Sequence, residues 1–87
     1  MKVNIDNTDY WVSWEHYIPY QSTCQITKQG FVIVGIGNGI CSPKDKFDKE
    51  IGRKVSLARA LSKSNFSKEN RKQFWSAYLN RKNAQRQ

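Results

Sequence analysis

Three groups of residues in this chain have types that could do chemistry. His16, the one histidine, could act as a general base or a metal ligand. Either role needs a nucleophile, or Cys, His and carboxylate partners at short fixed spacings. No cysteine or carboxylate cluster stands near it at metal-ligand spacing and the local sequence assembles no nucleophile–base pair, so His16 reads as structural and no metal site is expected. Asp45, Asp48 and Glu50 look like the paired carboxylates of acid–base catalysis, but they alternate with Lys44, Lys46 and Lys49. On a helix surface that alternation makes side-chain ion pairs. Gly35-Ile36-Gly37-Asn38-Gly39 comes after a strand pattern and before a helix start, as a phosphate-binding loop does. The dinucleotide fingerprint would need glycine where Ile40 stands, and the terminal Gly-Lys-Ser/Thr of phosphate loops is missing. Glycine at every second position instead bares one face of a strand, so that a helix or an aromatic ring can approach the backbone. The expectation is a protein with no catalytic residues and no cofactor.

Cations interleaved with aromatics are the stronger signal. The net charge is +8 over 87 residues, and it is unevenly placed. Residues 1–41 carry two lysines against three acids, whereas residues 42–87 carry thirteen Lys/Arg against four acids, a balance of +9. Such a field attracts anionic partners without fixing which one. The candidate binding residues are Lys44, Lys46, Lys49 and Arg53, then Lys68, Arg71, Lys72, Arg81 and Lys82. Lys46, Lys49 and Arg53 form a ridge at i, i+3 and i+7. Basic grooves that neutralise phosphates beside aromatics that stack on bases belong to proteins that bind single-stranded or irregular nucleic acid. Trp11 and Trp14 are expected in the core, since a domain this small must bury its large side chains.

The elements that must position these residues follow from period and punctuation. A single domain is expected over 1–87, with strands within about 10–40, helices at about 43–62 and 67–82, and a frayed tail at 83–87. Tyr10–Ile18 alternates, with Tyr10, Val12, Trp14 and His16 on one face and Trp11, Ser13, Glu15 and Tyr17 on the other. Thr23–Thr27 and Phe31–Ile36 complete a three-stranded antiparallel meander, while Lys2–Ile5 alternates but is too brief to count. A two-residue turn at Gln29-Gly30 would set Cys24 opposite Gly35 and Cys41 opposite Ile18, so both thiols read as free and mostly buried. Ser42 and Pro43 read as the start of a first helix whose apolar stripe is Phe47, Ile51, Val55, Ala58 and Leu61. Ser67 caps a second, with Phe74, Trp75, Tyr78 and Leu79 as its apolar face. The fold class is α+β, a β-β-β-α-α chain with both helices on one sheet face. Lys49–Leu61 followed by Ser67–Leu79 also admits a helix-turn-helix, without the usual turn glycine. No apolar run is long enough to span a bilayer and no secretion pattern opens the chain, so a cytoplasmic protein with no membrane partner is expected.

Cys41, Pro43, Asp45 and Phe47, then Gly52, Arg53, Leu57, Arg59, Ala60 and Leu61, then Arg71, Phe74, Trp75, Ala77 and Tyr78 make a further pattern. It resembles that of a group of small uncharacterised bacteriophage and prophage proteins with CxPxDxF, GRxxxLxRAL and RxxxWxAY segments. The resemblance covers about half the chain. It implies a viral setting in a bacterial host, where small basic proteins bind nucleic acid or disable a host defence complex. The expected function is therefore non-catalytic binding of nucleic acid or a nucleoprotein through the helical half. The alternative is an anti-defence inhibitor, such as an anti-CRISPR, that blocks a host effector's nucleic-acid channel or active surface. Arg53 and Arg59 are six residues apart and lie on different sides of the helix, so one could be held by Asp45, Asp48 or Glu50 while the other is free.

Overall fold

Alternation along the N-terminal half builds a sheet of four strands in the order β1-β2-β3-β4, where the sequence supported three. The computed structural model describes residues 1–17, 21–29, 32–40 and 48–85, with side chains to position 81. The added strand is the brief one: β1 (Lys2–Ile5) pairs antiparallel with β2 (Thr8–Tyr17). Four residues suffice because Asp6 and Asn7 both take positive φ, 51° and 64°. That is the two-residue turn whose twist matches a hairpin, and Asx residues tolerate it best. Val3 and Ile5 then bury beside Val12.

β3 (Gln21–Lys28) and β4 (Val32–Ile40) follow in an antiparallel meander. Their register corrects the expected one. Cys24 faces Gly37 rather than Gly35, because Lys28 pairs with Val32 across a three-residue connection and a bulge between Ile26 and Thr27 adds one residue more. Two single-residue shifts sum to an even number, so every side chain keeps its face. Cys24 is accordingly a free, buried thiol, pushed up to about 12 by burial. Cys41 and Ile18 lie outside the described residues.

The bare face of β4 is filled by the first helix, α1 (Lys49–Lys63), which lies over β3 and β4. A Cβ on Gly37 would stand 2.2 Å from the Ser56 carbonyl oxygen and 2.3 Å from the Ala60 nitrogen, so strand and helix backbones touch. Only the smallest face of α1 allows this, and Gly52, Ser56, Ala60 and Ser64 at i, i+4, i+8 and i+12 provide it. The Ser56 and Ser64 hydroxyls donate to the carbonyls of Gly52 and Ala60, which satisfies them without widening the contact. The predicted apolar stripe is thereby rotated outward. Leu61 and its neighbour Leu57 are buried, but Ile51 is 60% exposed and Ala58 is exposed. The start moves as well: Asp48, in extended conformation, is the N-cap and accepts from the Glu50 N–H, so α1 begins at Lys49 and not near 43. Ser42, Pro43 and Phe47 are outside the described residues.

The second helix, α2 (Lys68–Gln85), runs past the expected end at 82 and into the tail expected to fray. The Ser67 hydroxyl accepts from the Asn70 N–H as its cap. Phe74 and Tyr78 are buried and Trp75 is partly so, while Leu79 is exposed. α2 leans toward β1 and closes the core through Tyr10, Phe66 and Phe74, whose rings pair at 4.8–5.9 Å. The opposite sheet face carries no helix among the described residues. Trp11, expected in the core, lies there at 45% exposure, under the Lys2 ammonium at 5.6 Å. Its odd position along β2 gives it no other choice.

Candidate functional site

With α1 on β3 and β4 and α2 toward β1, the covered face is shared, and β2 presents Trp14 to both helices. The Trp14 Nε1–H donates to the Arg53 carbonyl of α1 at 3.2 Å, and its ring meets Tyr78 of α2 edge-on at 5.9 Å. The Arg81 guanidinium of α2 stands 5.5 Å from the indole centroid, a cation–π contact. His16 follows on the same face, with Nδ1 2.8 Å from the buried Ser22 hydroxyl. Burial first, and then the positive charges of Arg53 and Lys49, hold its imidazole below the usual histidine range. Met1 reports a similar field: its ammonium donates to the Val12 carbonyl, and burial followed by Arg81 lowers its pKa. Arg81 at the Trp14 indole and Arg53 and Lys49 near the His16 imidazole thus flank two partly buried rings where β2 faces both helices. We call this the mouth.

Of the expected ridge of three cations, the described residues include Lys49 and Arg53. Lys49 is exposed, but Arg53 is only partly so, and its Nε is buried with no hydrogen-bond partner among the described residues. The half-exposed helix face that would have freed it is the face turned toward Trp14. Lys44 and Lys46 lie outside the described residues. Lys68, Arg71 and Lys72 are exposed but belong to the other end of α2; thirteen residues from Lys68 to Arg81 amount to about 20 Å of helix. Lys72 is also paired with Glu69 at 3.9 Å. Lys82 continues α2 beside Arg81, with its side chain outside the described set. Arg59 is held by a main-chain carbonyl, that of Asn38, and among the described residues not by a carboxylate. Glu50 pairs with Lys54 at 3.7 Å.

Sequence reasoning missed Trp14 and His16 as site residues. The signal was available in the alternation of β2, which puts both on the helix-covered face; what was missing was the level at which two cationic helices cross it. Among the described residues no group of three His, Cys, Asp or Glu side chains could hold a metal ion, and no helix is long and apolar enough to cross a membrane. Comparison with protein-family models, with curated proteins and with solved structures gives no match.

Proposed function

We propose that this chain is a non-catalytic binding protein that engages nucleic acid, free or in a nucleoprotein, through the mouth between its helices. The observation that carries the reading is the gathering of cations from two helices along one face of β2, Arg81 over the Trp14 indole and Arg53 and Lys49 near the His16 imidazole. Cations neutralise phosphates, and aromatic rings set among cations stack on bases. The remaining exposed cations on α2, Lys68, Arg71 and Lys72, extend the field along the helix and steer the approach. Binding of short single-stranded DNA and RNA, followed across a salt series, tests it. Contact with about five phosphates gives a log–log slope of roughly −3.5 to −4.5. A flat response, or no retention of either nucleic acid, removes the reading.

The second reading, an anti-defence inhibitor directed at a host effector protein, is favoured by the open sheet face. Trp11, Tyr17, Ile33, Ile36 and Ile40 are 39–71% exposed there, and protein interfaces take such aromatic and aliphatic surfaces. Affinity purification from infected bacteria separates the two. Recovery of an effector protein that is lost on Ile36→Ser plus Ile40→Ser supports this reading, whereas nuclease-sensitive recovery supports the first.

A further inference from the structure

We infer that Arg53 is the seat of a single phosphodiester oxyanion at the mouth, with Lys49 as its second cation. The inference rests on the nucleic-acid reading and names the group that the mouth would hold. Its basis is an unfilled donor. The Arg53 Nε–H is buried and lacks any acceptor among the described residues, although guanidinium donors taken out of water are ordinarily matched. The neighbouring acids are committed elsewhere: Asp48 caps α1 through the Glu50 N–H, and Glu50 pairs with Lys54. Arg53 and Lys49 together set a positive field at the neighbouring His16, and that field favours an acceptor with negative charge.

The root of this side chain is fixed. The Arg53 carbonyl accepts from the Trp14 Nε1–H at 3.2 Å, and the Ser56 hydroxyl, which donates to the Gly52 carbonyl, packs 3.2 Å from it. One residue earlier, Gly52 is pressed so close to Ser22 that a Cβ would stand 2.1 Å from its hydroxyl oxygen. A planar fork on an immobile base suits the paired oxygens of a phosphate, and little freedom is lost when it binds. The Trp14 indole, tied to the Arg53 main chain, carries Arg81 across its ring. An anion there also lowers the cost of protonating His16, so imidazole and ligand are thermodynamically linked.

The test uses NMR on the full chain with two probes, inorganic phosphate and a short oligothymidylate. Phosphate is expected to shift the Trp14 indole N–H and His16 ring signals, raise the His16 pKa and compete with the oligonucleotide. Arg53→Gln should abolish these effects and weaken oligonucleotide binding roughly tenfold, reducing the salt slope by about 1, while Lys63→Gln changes affinity less than twofold. Arg53→Lys, which keeps the charge without the fork, should recover only part of the affinity. If the oligonucleotide binds with full salt dependence but phosphate moves neither ring and Arg53→Gln binds as the parent does, the seat is wrong and the nucleic-acid reading stands. If neither probe binds, both fall. Asp45, outside the described residues, is the internal alternative. Equal and non-additive destabilisation by Asp45→Asn and Arg53→Gln in a double-mutant cycle would assign the partner to the chain itself and overturn the inference.

Discussion

Each glycine of β4 meets a different part of α1, and the costs of filling them diverge. Gly37 faces helix backbone, where nothing can yield: Gly37→Ala sets a methyl against the Ser56 oxygen and Ala60 nitrogen. Gly39 faces Val55 Cγ1 and Cβ at 3.2 and 3.3 Å, contacts that a shift of a few tenths of an ångström relieves. Denaturant unfolding should show a loss of about 3 kcal/mol or more for Gly37→Ala and about 1 kcal/mol for Gly39→Ala; equal losses would mean that the helix rides higher than described. His16 gives a pH signature. Its folded pKa lies below 6.5, so below that value the unfolded chain takes up the proton more readily and stability falls. The fall begins near pH 6.5 and levels off once the folded imidazole protonates too. His16→Gln should remove this component from the pH dependence of the midpoint while leaving the carboxylate part at lower pH unchanged.

What the sequence disclosed at the level of elements was face more than position. Period-two glycines announced a close approach, and the alternation of β2 assigned both of its faces correctly, because its pairing with β3 runs without a bulge. The helix phase was not legible. Ile51, Val55 and Ala58 form the more apolar stripe, but the glycine strand admits only backbone-thin residues, so the choice belongs to the partner surface and not to α1 alone. The same coupling hid Arg53, since a side chain judged from a stripe moves inward when the stripe turns. β4 is an edge strand with Val32, Ile33, Ile36 and Ile40 exposed, the kind of edge that invites pairing with another chain. A bulge and the Arg59 guanidinium on the Asn38 carbonyl blunt it. Arg59→Ala should therefore increase concentration-dependent self-association in sedimentation experiments with little change in the unfolding midpoint; a strictly monomeric variant would deny Arg59 that guarding role.

Over the whole molecule, a nearly neutral sheet half and a helical half carrying +9 divide the work of binding into two kinetic parts. Charges in the open field act on diffusional encounter, and groups in a desolvated contact act on escape. Lys68, Arg71 and Lys72 are exposed at one end of α2, and Arg81 lies over Trp14 near the other, about 20 Å apart. Replacing the first three together by Gln should slow association with an oligonucleotide several-fold at low salt, with the difference shrinking as ionic strength rises and the Debye length falls below about 8 Å. Dissociation should hardly change. Arg81→Gln should do the reverse, leaving association within about twofold and speeding release roughly tenfold, because it removes the cation that caps the indole. If stopped-flow traces instead show the α2 N-terminal cluster governing release, the strand is held along the helix surface and the mouth is only its neighbour.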